Sequence, residues 1–200
     1  VNGTGGNDRI SVASSGASVV VKGLSAQVTI DGAEASNDSL VINGLGGNDR
    51  IDASALDAGH IKLVIDGGAG NDTIVGSRGN DMLIGGDGND VVTGGAGNDV
   101  AMLGAGDDRF IWNPGDGSDV VQGQDGVDTL EFNGSCANET ISVAANGDHV
   151  MTDRTGNPLT SALPSTPSAR AGRGRRPRRS PAPSPSTSGA ADRRRRASTR

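Results

Sequence analysis

Asp72, Asp81, Asp90, Asp99 and Asp108 recur every nine residues. Each closes a Gly-rich turn and opens a short apolar run. The five frames read GGAGNDTIV from Gly67, GSRGNDMLI from Gly76, GGDGNDVVT from Gly85, GGAGNDVAM from Gly94 and LGAGDDRFI from Leu103. Two extra residues, Trp112 and Asn113, then break the frame. It resumes as PGDGSDVVQ, with Asp119, and GQDGVDTLE, with Asp128. Upstream, GTGGNDRIS holds Asp8 and GLGGNDRID holds Asp49, and these read as isolated turns of the same kind. A carboxylate at a fixed interval, set among residues with no side chain, is chemistry for a hard cation.

The nine places divide into a bend and a run. Gly at places one, two and four reaches positive φ without steric cost, and Asn at place five tolerates it. Places seven to nine carry Thr, Ile, Val and Leu, which suit an extended, pleated backbone. In a strand, places seven and nine face one way and place eight the other. One large apolar residue per nonapeptide therefore faces inward, as a thin ladder of Ile74, Leu83, Val92, Ala101 and Phe110.

If one coil holds two nonapeptides, turns on the same side lie 18 residues apart. Asp72, Asp90 and Asp108 then stack on one side, and Asp81 and Asp99 on the other. Neighbouring strands stack about 4.8 Å apart. Two carboxylates at that distance repel by roughly 1 kcal/mol in water and ~3–4 kcal/mol at an effective dielectric near 20. Such a column calls for a cation. Calcium accepts six to eight oxygen ligands, backbone carbonyls included, whereas magnesium demands strict octahedral geometry and zinc prefers nitrogen and sulfur.

The pattern G-G-x-G-x-D-x-U-x, with U a large apolar residue, resembles the bacterial repeats-in-toxin (hemolysin-type) proteins over residues 67–131. The resemblance implies an all-β, right-handed parallel β-roll, or β-solenoid, that binds several calcium ions. It implies side-chain ligation by Asp72, Asp81, Asp90, Asp99, Asp108, Asp119 and Asp128. Backbone carbonyls would add to these, among them Gly67, Gly76, Gly85 and Gly94. It also implies a secreted, extracellular bacterial protein, with secretion machinery as a partner and calcium coupled to folding. Ser77 and Leu103 depart from Gly at places two and one, so strained or weakly binding turns are expected there. The slip at Trp112–Asn113 is expected to interrupt the stack before Asp119 and Asp128. Asp87 and Asp107, off the pattern, are expected to add only negative field, and Phe110 and Trp112 to plug the end of the ladder.

The elements that must position these carboxylates follow from composition. There are 33 Gly and three aromatics, Phe110, Trp112 and Phe132, in 200 residues, so an ordinary side-chain core is excluded. Short apolar runs at Val19–Val21, Val28–Ile30, Leu40–Ile42 and Leu63–Ile65, each flanked by turn residues, read as strands. Frequent Gly opposes helix. Four regions result: an irregular β lead-in over 1–66, the roll over 67–131, a terminal β segment over 132–151 and a tail over 152–200.

The tail is a different composition. Residues 1–151 carry 22 acids and six bases; residues 152–200 carry two acids and 12 Arg. Seven of the eight prolines lie in the tail, and large apolar residues vanish after Leu163, which reads as disorder. Three readings compete: a basic tail touching phosphates nonspecifically, a tail lying on the acidic repeats, and an out-of-frame translation of GC-rich DNA. The abrupt change near 151 favours the third. No specific nucleic-acid contact is expected, for want of aromatic residues to stack on bases.

No enzyme is expected in these residues. His60 and His149 stand 89 residues apart without a nucleophile pattern, and Cys136 is alone. No run reaches the ~18 apolar residues of a membrane helix. Alternative parents for such a roll are an extracellular adhesin or surface-layer protein, or a secreted hydrolase whose catalytic domain lies before Val1.

Overall fold

The computed structural model describes residues 1–135, 142–146 and 149–153, the last two stretches as backbone strands. Cys136 and residues 154–200, including most of the basic tail, lie outside the described residues. The fold is all-β, with no helix among the described residues.

The chain winds as a flattened β-solenoid, leaving one short strand in each of two sheets as it goes round. The first sheet holds β1 (Arg9–Ser15), β5 (Arg50–Ala55), β7 (Thr73–Val75), β9 (Val91–Thr93), β11 (Arg109–Trp112) and β13 (Thr129–Phe132), all parallel. The second holds β4 (Ser39–Asn43), β6 (Lys62–Ala69), β8 (Asp81–Asp87), β10 (Val100–Ala105) and β12 (Val120–Asp125), also parallel.

Both ends change direction. At the start, β2 (Ser18–Lys22) and β3 (Val28–Asp31) extend the first sheet as an antiparallel meander from β1. At the other end, β15 (His149–Asp153) pairs antiparallel with β12 and carries β14 (Ser142–Asn146) at the edge. Parallel coils would otherwise end in an open row of backbone donors and acceptors.

Register aligns the inward residues from coil to coil. The first sheet stacks Ile10, Ile51, Ile74, Val92, Phe110 and Leu130. The second stacks Ile42, Ile65, Leu83, Ala101 and Val121. The place-eight residues Ile74, Leu83, Val92, Ala101 and Phe110 are fully buried, as the period-two reading requires.

The interior is wider than a single ladder. Leu103 and Trp112 are buried, each 1 % exposed. Leu103 sits two residues after Ala101 on β10, both facing inward, so a large residue accompanies the smallest rung. Its turn is not simply a flawed copy of its neighbours: the departure from Gly supplies core volume. Near the start, Val12, Val19, Val21, Leu40, Ala53, Leu56 and Ile61 join the same core.

The segment read as an irregular lead-in is continuous with the roll. β1, β4, β5 and β6 stack in register on the nonapeptide strands. The interval differs there because the β2–β3 meander and the loop around Leu56–Ile61 are inserted between coils. The outer face of the first sheet carries ion pairs, Arg50–Asp52 at 2.9 Å and Arg109–Glu131, both largely solvated.

Ile74→Ala removes a fully buried rung and is expected to destabilise the folded chain by about 2–5 kcal/mol. Val41→Ala, at a 41 % exposed position, is expected to change stability by less than about 0.5 kcal/mol. Equilibrium denaturation of the two variants against the parent measures both.

Candidate metal centre

The turns between the sheets stack as the strands do, and this places the aspartates. The amide of each place-six Asp donates to Oδ1 of the Asp one coil further on. On one side Asp8 bonds Asp49 at 2.7 Å, Asp49 bonds Asp72 at 2.7 Å, Asp72 bonds Asp90 at 2.7 Å and Asp90 bonds Asp108 at 2.7 Å. Asp108 bonds Asp128 at 3.1 Å. On the other side Asp81 bonds Asp99 at 2.9 Å, and Asp99 bonds Asp119 at 2.9 Å.

The structure therefore brings all seven aspartates of the sequence reading into two columns. It adds Asp8 and Asp49 to the first, which a nine-residue window cannot detect across intervals of 41 and 23 residues. The slip does not interrupt the stack. Asp99 to Asp119 and Asp108 to Asp128 each span 20 residues instead of 18. β11 runs on in register as far as Trp112: Trp112 enters the core, its Nε1 donates to the Gly117 carbonyl at 3.1 Å, and its ring lies 5.6 Å from Phe132.

With Oδ1 committed, the second oxygen is the informative atom. Oδ2 of Asp49, Asp72, Asp90, Asp99, Asp108 and Asp119 is buried and has no hydrogen-bond partner. These six residues are at most 3 % exposed. A buried charged oxygen without a partner is costly. Repetition of the same orphan at rung after rung marks a place built for something positive.

Backbone surrounds that oxygen closely. A Cβ built on Gly67 would stand 2.4 Å from Asp72 Oδ2 and 2.6 Å from the Gly85 carbonyl oxygen. On Gly85 it would meet Asp90 Oδ2 at 2.5 Å and the Leu103 carbonyl oxygen at 2.2 Å. Gly76 lies likewise beside Asp81 Oδ2 and the Gly94 carbonyl, and Gly94 beside Asp99 Oδ2 and Asp119 Oδ2. Place one is thus glycine where a carboxylate oxygen and a carbonyl of the next coil converge over bare Cα.

A second row of side-chain bonds runs beside the Asp columns, and the sequence reading missed it. The place-five amide of each coil donates to the Asn side chain of the coil before: Asn48 to Asn7, Asn71 to Asn48, Asn89 to Asn71, and Asn98 to Asn80, all at 2.8–2.9 Å. Asp107 continues the row, donating to Asn89 and accepting from Val127 at 2.9 Å, so it does more than add field. The recurrence of Asn at place five was the available signal. Asn there serves as an acceptor between coils as well as tolerating the turn.

Burial also sets the proton affinity of the columns. Removal from water pushes the Asp72, Asp81 and Asp90 carboxyls up to about 6, Asp119 to about 7 and Asp99 to about 9. The amide or hydroxyl bonds to these groups pull the other way. Neighbouring carboxylates push further up, as Asp119 and Asp81 do for Asp99. Asp49 and Asp108 are raised for the same first reason.

The donor set fits a hard cation. Among the described residues no three His, Cys, Asp or Glu side chains gather as a metal-binding group. An ion here would take one or two carboxylates and complete its shell with backbone carbonyls or water. Calcium accepts that mixture; zinc does not favour it. Among the described residues no helix is long and apolar enough to cross a membrane.

Fold and site together define a parallel β-roll whose turns offer single buried carboxylates to a cation. The family model for the RTX calcium-binding nonapeptide repeat matches in four copies, at residues 41–55, 66–101, 75–110 and 115–134. These stretches are RTX-type calcium-binding repeats. No curated protein and no solved structure matches the chain.

A carboxyl whose folded pKa lies above its unfolded value supports the fold while protonated. That support is complete below the unfolded value near 3.8 and is lost as pH rises through about 6 for Asp72 and Asp90 and about 9 for Asp99. The chelator-stripped chain is therefore expected to gain strand signal in far-UV circular dichroism between about pH 8 and about pH 5. A signal that falls over that range contradicts the assigned burial.

Proposed function

We propose that the roll binds several calcium ions along its two Asp columns and that binding completes its folding outside the cell. The six partnerless buried Oδ2 atoms carry this reading. Asp72, Asp90, Asp99, Asp108, Asp119 and Asp128 act as side-chain ligands under it, with Asp49 added. Carbonyls of the place-one residues Gly67, Gly85 and Leu103 lie beside Oδ2 of Asp49, Asp72 and Asp90.

Linkage supplies the mechanism. A cation that binds the wound chain and not the unwound one stabilises the wound state by RT ln(1 + [L]/Kd), about 2.7 kcal/mol per site at a hundredfold excess over Kd. Without it, like charges stack within one strand spacing of each other. Where free calcium is scarce the chain stays unwound, suited to passage through a secretion channel. Where calcium is abundant it winds. The residues serve by binding rather than by catalysis: His60 has no nucleophile beside it in sequence, and the buried ionisable groups named above are all Asp.

Far-UV circular dichroism of the full chain during calcium titration tests this. Strand signal is expected to appear at millimolar calcium, reverse with chelator and fail to return with magnesium. A strand signal near pH 7.5 indifferent to calcium overturns the reading. Asp90→Ala, in mid-column, is expected to weaken the calcium response more than Asp8→Ala at the column's end; equal effects would count against stacked sites.

A further inference from the structure

Place two of the turn has one conformation at most rungs. Leu45, Gly68, Gly86, Gly104 and Gln124 precede Asp49, Asp72, Asp90, Asp108 and Asp128 by four residues, and all have positive φ, from 72° to 117°. In the other column Gly95 and Gly115 hold the same position before Asp99 and Asp119, at 92° and 110°. Leu45 and Gln124 adopt this left-handed geometry although they carry side chains that disfavour it. The turn demands it wherever Oδ2 is left without a donor.

Two rungs differ, and they are the first of each column. Thr4 stands at place two before Asp8, and Ser77 before Asp81. Neither is among the positive-φ residues. Each aims its own donors at the carboxylate instead. The Thr4 amide donates to Asp8 Oδ2 at 2.6 Å and its hydroxyl to the same oxygen at 3.0 Å. The Ser77 amide donates to Asp81 Oδ2 at 2.5 Å and its hydroxyl to Asp81 Oδ1 at 2.8 Å.

A further amide holds each hydroxyl in place. Gly6 donates to Thr4 Oγ1 at 3.2 Å, and Gly79 to Ser77 Oγ at 3.0 Å. The Ser77 hydroxyl proton then points at the carboxylate, while that of Thr4 has the nearer Asp8 Oδ2 and the Gly6 carbonyl at 3.3 Å as acceptors. Two unconnected parts of the chain thus build the same device at the same structural position. Asp81 is buried like the interior rungs, at 5 % exposed against their 1–3 %, yet it is absent from the set with an orphaned Oδ2.

We propose that Thr4 and Ser77 are hydroxyl caps that take the place of a cation at the first rung of each column. Calcium then occupies the slots from Asp49 and from Asp99 onward, while Asp8 and Asp81 hold none. A first rung has no Asp of a preceding coil to donate to its Oδ1, and a cation there would draw on one coil fewer. Protein donors close the column at that end. Asp81, read from sequence as a ligand, becomes a hydrogen-bond acceptor. This inference rests on the calcium reading above and specifies which rungs carry it out.

Counting bound calcium per full-length chain, by native mass spectrometry and by equilibrium dialysis, tests it. Ser77→Gly and Thr4→Gly restore the glycine found at this place in other rungs, and each is expected to add one ion. Asp81→Asn is expected to leave the count unchanged, while Asp99→Asn loses at least one. If a glycine variant fails to wind in calcium, the Asn pair still decides. A parent chain that binds calcium, with an unchanged count in Ser77→Gly or a lost ion in Asp81→Asn, overturns the cap and leaves the calcium reading standing. A parent that binds no calcium overturns both.

Discussion

The rest of the structure depends on one unsatisfied atom repeated along a column. Each interior Asp gives Oδ1 to the amide of the previous coil and keeps Oδ2 buried and unpaired. The first bond fixes the stacking distance between turns. The second oxygen makes that stacking unfavourable unless positive charge arrives. Attraction along the backbone and repulsion along the carboxylates are thus built into the same residue. Under the calcium reading proposed above, winding and cation uptake are linked, since the ion binds the wound chain and not the unwound one.

The apolar interior and the columns divide the work along the chain. At the start, Ile10, Val12, Val19, Val21, Leu40 and Ile42 form a fuller core beside the β2–β3 meander. At the far end, Phe110 and Trp112 fill the interior with Phe132 against them. Between them Ile74, Leu83 and Val92 are the buried place-eight rungs. Those central coils carry the most regularly spaced carboxylates.

Places six and eight were legible in the sequence because their signals are local: an Asp and a large apolar residue at a fixed offset. The two-column stacking of Asp72, Asp90 and Asp108 against Asp81 and Asp99 followed from the interval once a coil was taken to hold two nonapeptides. What escaped needs contacts between coils. Asp8 and Asp49 join the column across a meander and a loop of irregular length, and no short window aligns them. Asn at place five reads as a turn residue, since its bond goes to a neighbouring coil. Leu103 reads as a defect until Ala101 is seen beside it. Ser77 reads as a weak Gly substitute, yet its hydroxyl sits on the carboxylate it precedes by four residues.

Amide hydrogen exchange of the full chain near neutral pH measures the central coupling most directly. The amides of Asp72, Asp81, Asp90 and Asp99 donate only to carboxylates of the next coil, so their protection reports the columns rather than the sheets. The account predicts strong protection of these amides in calcium and its loss, together with that of the central strands β7 to β10, in chelator. Equal protection of the Asp amides with and without calcium would contradict it.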